Sequence, residues 1–318
     1  PAYLEGPSTM KRIALLSLVV AAAATLAAQQ PVSTDRILNA EKEPHNWLTY
    51  SGSYKSQRHT ALTQITPANV KDLQLQWVFQ VPTSDASDKF EATPLVVDGV
   101  HYTVSPPNDV VALDAVTGRQ FWRYNHANAQ TARVCCGRVN RGLAILGNRL
   151  FMGTIDGRVL ALNAKTGQLE WNVPIDRPEA GYSITVAPLV VKDKLILGPA
   201  GGEYRIRGYI LAVGPATGKE LGRLNTVPGP GEAGNDTWAG ESWKTGGGSI
   251  WTTGSYDPET NLTYWGVGNP GPDWNGDARL GDNLYTESVV ALDVDTGALK
   301  WHYQFTPHDE FDFDSTQV

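Results

Sequence analysis

Short apolar runs recur along the chain and predict β-strands rather than helices. Each run alternates Val, Ile or Leu with smaller residues and leads through Ala and a polar turn to Thr-Gly. The runs are bounded by Gly and Pro and keep no sustained helical period of 3.6 residues, which favours strands. Four segments share the pattern: VVALDAVTGRQFW (110–122), VLALNAKTGQLEW (159–171), ILAVGPATGKELG (210–222) and VVALDVDTGALKW (289–301).

Each segment is interpreted as a strand, a tight turn and a returning strand. Asp or Asn begins such a turn by bonding its own backbone, and Gly takes the left-handed position. Three segments end in Trp four residues after the Gly, and we expect this Trp to pack against a neighbouring repeat. The third segment carries Gly222 instead, and a degenerate fifth copy, DLQLQW, ends at Trp77.

The spacing of these repeats predicts an all-β propeller. The shared Ala stands at positions 112, 161, 212 and 291, so the intervals are 49, 51 and 79 residues. Repeats of about 40–50 residues with several strands each are typical of propeller blades. The third interval holds about 30 extra residues, which we interpret as a functional insertion between strands.

Composition and charge exclude some classes of partner. The hydrophobic share of 41% and the charged share of 19% are typical of a globular chain. A net charge of −7 argues against nucleic acid as the main partner. Beyond the N-terminal region, no apolar run is long enough to predict a membrane span.

The N-terminal region is typical of an export signal. Residues 10–28 read MKRIALLSLVVAAAATLAA, with a basic start, an apolar run and small residues at the end. We therefore predict a signal peptide at 10–28, an upstream extension or artefact at 1–9, and a propeller region at 29–318. Export implies a periplasmic location and an oxidising compartment.

The two cysteines, Cys135 and Cys136, are adjacent. One interpretation is a pair of unrelated buried thiols. The other is a strained vicinal disulfide, which persists where surrounding structure enforces it, often at a functional site.

Taken together, the repeats and five motifs resemble the pyrroloquinoline quinone (PQQ)-dependent alcohol dehydrogenases of the methanol and ethanol dehydrogenase group. The motifs are, in order, the adjacent cysteines, GGEYRIRG, WKTGGGSIW, GNPGPDWN and HDEFDFD. The match runs from about Asn46 to the last residue. The resemblance implies an eight-bladed propeller of the quinoprotein type, of which this chain covers the N-terminal half, about four blades.

The resemblance also implies a cofactor site. Cys135 and Cys136 match a vicinal disulfide against one face of the quinone, and Trp251 matches the indole on the other face. Arg141 matches the cation that pairs with a cofactor carboxylate. Further cofactor contacts fall on Glu91, Thr185, Gly201, Gly202 and Ser249. At Ala200 the family often has a small hydroxyl residue, so this chain departs from the pattern there.

Metal ligands are implied at Glu203, Asn269 and Asp312, which are oxygen donors suited to a hard cation. Asp312 also matches the family's catalytic carboxylate. At the position of Asp314 the lanthanide-type enzymes carry Asp, whereas the calcium-type enzymes usually carry a small residue. We therefore favour a lanthanide(III) ion, with Ca²⁺ as the alternative. If this stretch is extended, the two aspartates point the same way.

The implied function is oxidation of a primary alcohol to an aldehyde, with electrons passed to a periplasmic cytochrome c. A homodimer is a further possible assembly. Two alternatives remain. A non-catalytic propeller scaffold of the outer-membrane assembly type would lack the site motifs, and a sugar-oxidising quinoprotein would differ around the cysteines. A further acidic loop at 273–277 lacks the Gly and Glu of an EF-hand, and we interpret it as an ordinary polar loop.

Overall fold

Sixteen strands form four antiparallel sheets in the part of the chain that the computed structural model describes, residues 30–83 and 85–316. Each sheet has four strands in sequence order, which is the arrangement of a propeller blade. Blade 1 contains β1 (Leu95–Val97), β2 (Val100–Ser105), β3 (Asp109–Asp114) and β4 (Gln120–Tyr124). Blade 2 contains β5 (Ala144–Leu146), β6 (Arg149–Gly153), β7 (Arg158–Asn163) and β8 (Leu169–Pro174). Blade 3 contains β9 (Leu189–Val191), β10 (Lys194–Leu197), β11 (Tyr209–Val213) and β12 (Glu220–Asn225), and blade 4 contains β13 (Ser255–Asp257), β14 (Leu262–Val267), β15 (Ser288–Asp293) and β16 (Leu299–Gln304).

Four blades of an all-β propeller confirm the predicted fold. The predicted signal peptide at 10–28 and the extension at 1–9 lie outside the described residues. The described part also contains one short α-helix, α1 (Thr34–Leu38), capped by the Ser33 side chain, which accepts from the backbone N–H of Arg36. Short 3-10 turns occur at Ala40–Lys42, Val70–Asp72, Pro178–Ala180, Gly202–Tyr204, Asn235–Thr237, Ser242–Thr245 and Gly276–Arg279. No helix in this part is long and apolar enough to cross a membrane.

The strand order of each blade determines which connections share an end of the molecule. Neighbouring strands are antiparallel, so the segment before the first strand, the loop between the second and third, and the segment after the fourth lie at one end. The connections between first and second and between third and fourth strands lie at the other. We call these the loop end and the turn end.

Tryptophans join successive blades near the turn end. Trp122 on β4 pairs with Ala112 on β3, and its indole N–H donates to the Ala164 carbonyl of blade 2 over 3.1 Å. The ring lies over Gly167, whose φ of 72° is left-handed and whose added Cβ would stand 2.5 Å from the indole. Position 167 therefore requires glycine for two reasons: the left-handed backbone of the turn, and the close approach of the indole ring.

The same docking occurs at the flanking junctions. Trp77 donates to the Ala115 carbonyl over 3.3 Å, and Trp171 donates to the Pro215 carbonyl over 3.2 Å. The turn itself is as predicted, since the Asp114 carboxylate accepts from the N–H groups of Val116 and Thr117. The degenerate fifth copy that ends at Trp77 is thus confirmed as a docking segment.

The extra residues of the long third repeat interval lie in two connections, one between blades 3 and 4 and one within blade 4. One joins β12 to β13 across residues 226–254, and the other joins β14 to β15 across residues 268–287. Both reach the loop end, and they are tied together because the backbone N–H of Gly248 donates to the Asn269 carbonyl. The insertion predicted from the spacing is therefore concentrated where the predicted site residues lie.

Candidate functional site

One cavity of about 160 Å³ lies at the loop end and collects most of the predicted site residues. Loops from all four blades contribute, because the segment before the first strand of every blade reaches this end. The lining includes Glu91, Cys135, Cys136, Arg141, Thr185, Gly201, Glu203, Ser249, Trp251 and Asp314, together with Val134, Val139, Ser183 and Ala200. Gly202, Asn269 and Asp312 lie outside this lining.

The adjacent cysteines form a disulfide, which decides between the two interpretations of the pair. Cys136 has a left-handed backbone, with φ of 64°. The two sulfur atoms and a carboxylate oxygen of Glu203 all lie within 4.8 Å of one another. Because both sulfurs are oxidised, they cannot act as thiolate ligands, and they offer instead a rigid wall to the cavity.

Arg141 places a cation beside an aromatic face. Its guanidinium lies 4.8 Å from the centre of the Trp251 ring, bonds the Thr185 hydroxyl over 3.0 Å and pairs with Glu91 over 3.1 Å. Burial lowers the pKa of Arg141, and the charge of Glu91 opposes that shift. The group therefore stays oriented over the indole, where it can meet a planar anion.

Glycines allow oxygen atoms to converge next to Trp251. A Cβ on Gly268 would stand 2.9 Å from the Ser249 hydroxyl and 3.1 Å from an Asp314 oxygen. A Cβ on Gly202 would stand 3.2 Å from the Asn269 side-chain oxygen. The indole N–H of Trp251 also donates to Asp314 over 3.4 Å. Although Gly202 and Asn269 do not line the cavity, they adjoin the residues that do.

The same region holds an acidic cluster, defined as Glu203, Asp273, Asp312 and Asp314. Burial raises the pKa of Glu203, and the charges of the three aspartates raise it further. Burial, followed by the charge of Asp312, raises the pKa of Asp314 to about 6. Within the described residues, no Lys or Arg forms an ion pair with Glu203, Asp312 or Asp314. The cluster thus carries negative charge that a bound cation would offset.

Asn269 supplies a neutral donor to this cluster. Its side-chain N–H donates to Asp273 over 2.7 Å, which leaves the amide oxygen facing Gly202. Asn269 is almost fully buried. Carboxylate and amide oxygens are the ligand atoms that a hard cation such as Ca²⁺ or a lanthanide prefers.

The Asp312–Asp314 stretch is not extended, so the condition under which the two aspartates would point the same way is not met. Asp312 and Asp314 have left-handed backbones, with φ of 62° and 54°. The buried Asp309 carboxylate causes this shape by accepting from the N–H groups of Phe311 and Phe313, each over 3.0 Å. A tight loop therefore presents Asp314 to the cavity and keeps Asp312 beside it.

Three further carboxylates support the site and were not expected from the sequence. Asp309 shapes the Asp312 loop, and Glu287 is fully buried and accepts from the N–H of Ser315 over 2.8 Å. Asp273 orients Asn269, so the loop at 273–277 is more than an ordinary polar loop. The position of Asp309 two residues before Phe311 is an Asx-turn signal. Nothing local marks Glu287.

Comparison with known proteins agrees with this architecture. The sequence profile of the PQQ "Glucose/ethanol/alcohol dehydrogenase, beta-propeller domain" family matches residues 47–317. The chain belongs to this family. A curated relative is the quinoprotein alcohol dehydrogenase PedH of Pseudomonas putida, 41% identical over 305 residues, which cover 91% of this chain and 51% of PedH.

Solved structures of family members superpose closely on this propeller. The quinohemoprotein alcohol dehydrogenase ADHIIG of Pseudomonas putida HK5 matches with a TM-score of 0.85 and 41% identity, over 92% of this chain and 45% of that one. A europium-containing methanol dehydrogenase matches with a TM-score of 0.83 and 37% identity, over 89% of this chain and 53% of that one. The chain therefore spans about half the length of its relatives.

We expect the Asp312→Asn substitution to lower the pKa of Asp314 from about 6 in the metal-free protein, because it removes a neighbouring negative charge. The raised pKa means that Asp314 favours folding at low pH, and this contribution is lost as the pH rises through about 6. A carboxyl ¹³C NMR titration measures the shift. Asp295→Asn, in an exposed ion pair with Lys192, is the matched control. An unchanged Asp314 pKa in Asp312→Asn would contradict the coupling.

Proposed function

We propose that this chain supplies the PQQ- and metal-binding part of an enzyme that oxidises primary alcohols to aldehydes. One observation carries the proposal: a cavity walled by a disulfide and an indole, with the oriented guanidinium of Arg141, adjoins the acidic cluster. The relatives are named as quinoprotein and quinohemoprotein alcohol dehydrogenases, which supports the same class of reaction.

The cavity fits a flat tricarboxylate. The disulfide Cys135–Cys136 and the Trp251 ring supply two walls for a planar ring system, and Arg141 supplies the positive charge that a carboxylate needs. The buried Thr185 and Ser249 hydroxyls add polar groups to the lining. Bound PQQ would supply a quinone that accepts a hydride from the alcohol carbon.

Asp312 is the group we propose to take the hydroxyl proton. As hydride leaves the alcohol carbon and the proton passes to the Asp312 carboxylate, the alcohol becomes an aldehyde, so charge and atoms balance. Asp309 holds the Asp312 loop through two backbone N–H groups and thereby fixes the direction of this carboxylate. Glu91 keeps Arg141 in place until a cofactor carboxylate competes for it.

We propose Glu203, Asn269, Asp312 and Asp314 as the metal ligands, with a lanthanide(III) ion favoured over Ca²⁺. A cluster with three proposed carboxylate ligands suits an ion of high positive charge. The similarity to a europium-containing methanol dehydrogenase supports this choice.

A periplasmic cytochrome c is the proposed electron acceptor. Three of the curated relatives are named as quinohemoproteins, which associates this fold with haem electron transfer. The export signal predicted at 10–28 supports the periplasmic location. A small primary alcohol is the proposed substrate.

Dye-linked oxidation of ethanol tests the proposed activity. The whole enzyme to which this chain contributes, loaded with PQQ and La³⁺, should reduce the dye, whereas its Asp312→Asn variant should retain PQQ and lose turnover by about 10²–10⁴-fold, the usual effect of removing a general base. Asp277→Asn, an exposed aspartate at the same end, is the control. Full turnover by Asp312→Asn would refute the role of Asp312, and inactivity of the loaded wild type would refute the proposed function.

Metal preference tests the role of Asp314. The Asp314→Ala substitution should reduce La³⁺-supported activity more than Ca²⁺-supported activity, because it removes one carboxylate that favours the trivalent ion. Titration of the loaded protein with each metal measures both affinities directly. Equal loss with both metals would show that Asp314 does not select the ion.

A further inference from the structure

The junction between blades 3 and 4 lacks the indole that fills the other junctions. Gly222 on β12 pairs with Ala212, which is the register that Trp122 and Trp171 occupy on their own blades. On the facing turn, a Cβ added to Gly297 would meet no atom within 4 Å. At the equivalent glycines, Gly118, Gly167 and Gly218, the added Cβ would stand 2.6, 2.5 and 2.8 Å from a tryptophan ring.

A cleft of about 80 Å³, open on its solvent side, takes the place of the missing ring. Its walls are mainly apolar: Ile196, Ile210, Ala212, Leu224, Leu292 and Val294. Lys194, Arg223, Asp293 and Asp295 stand among the polar lining residues. The turn at Gly297 keeps the same left-handed φ, 71°, as the turns that receive an indole.

The cleft also offers a hydrogen-bond acceptor in the equivalent place. The three docked indoles donate to the carbonyls of Ala115, Ala164 and Pro215. Each of these residues directly follows the one that begins its turn, which is Asp114, Asn163 or Gly214. The equivalent residue in blade 4 is Val294, which follows Asp293 and lines the cleft. A ring that entered here with an N–H would find the partner that the resident tryptophans use.

We infer that this cleft binds a small planar aromatic ligand of the indole class. The same turn, the same register and an apolar floor reproduce the surroundings of Trp122 and Trp171, and the side chain that would fill them is absent. Apolar space left by a missing side chain takes up aromatic molecules of matching shape. The outer edge of such a ligand stays in solvent, as the half-buried Trp122 and Trp171 do. The site lies toward the turn end, away from the candidate cofactor cavity, and does not depend on the proposed function.

Indole binding to the full chain tests the inference. Saturation-transfer NMR and equilibrium dialysis should detect one bound indole in the wild type, and saturating indole should raise the unfolding temperature by about 2–4 °C. Gly222→Trp should abolish binding because the new side chain occupies the cleft. Trp122→Gly, which opens an equivalent cleft between blades 1 and 2, should bind two indoles.

Two controls sharpen the outcome. 1-Methylindole lacks the N–H and should bind about tenfold more weakly, which corresponds to the loss of one hydrogen bond of about 1.4 kcal/mol. If Gly222→Trp does not fold, Gly222→Leu blocks the cleft with a smaller side chain. Absence of saturable binding by the wild type, or wild-type binding by the folded blocking variant, would overturn the inference.

Discussion

Docking of an indole from one blade onto the glycine turn of the next is the contact on which the arrangement of the blades depends. The ring is bounded on one side by its own sheet and on the other by a turn that tolerates no Cβ, so the distance between blades is fixed at that point. Because the connections at the loop end are carried by the same strands, fixing blades 1 to 3 also fixes the segments that hold Glu91, Arg141 and Thr185. The segment of Trp251 leads into blade 4, which joins blade 3 without a docked indole. The cavity is thus a consequence of contacts made toward the other end of the molecule.

The acidic cluster opposes folding when no cation is bound, because its carboxylates are buried close to one another. The raised pKa values of Glu203, Asp312 and Asp314 reflect burial first and neighbouring negative charges second, with Asp309 acting on Asp312. Asp309 and Glu287 add buried negative groups behind the loop and hold its backbone through N–H donors. These buried carboxylates add little to the stability of the fold by themselves. A cation that binds the folded state would offset their repulsion and stabilise it.

The sequence was most informative where a signal repeats. Four copies of one pattern predicted the blades, and the Asp-to-Gly turn with its Trp predicted the docking, including the degenerate copy at Trp77. The resemblance assembled residues that no local rule connects, and the structure brings most of them to one cavity. The Asp312–Asp314 stretch is not extended because the Asp309 carboxylate accepts hydrogen bonds from the backbone N–H groups of Phe311 and Phe313. Glu287 was missed because its partner, Ser315, lies on a distant segment of the chain. Asp273 was missed because its contact with Asn269 depends on the conformation of the loop, which composition does not specify.

The central claim is that the cavity and the acidic cluster form one site for PQQ and a cation. Calorimetric titration of the metal-free protein with PQQ, with and without La³⁺, measures this most directly. If the two groups form one site, La³⁺ should tighten PQQ binding. Glu203→Gln should reduce this gain in affinity, since Glu203 belongs to the acidic cluster and lies beside the disulfide. The same PQQ affinity with and without La³⁺ would show that the two groups of residues are independent and would contradict the account.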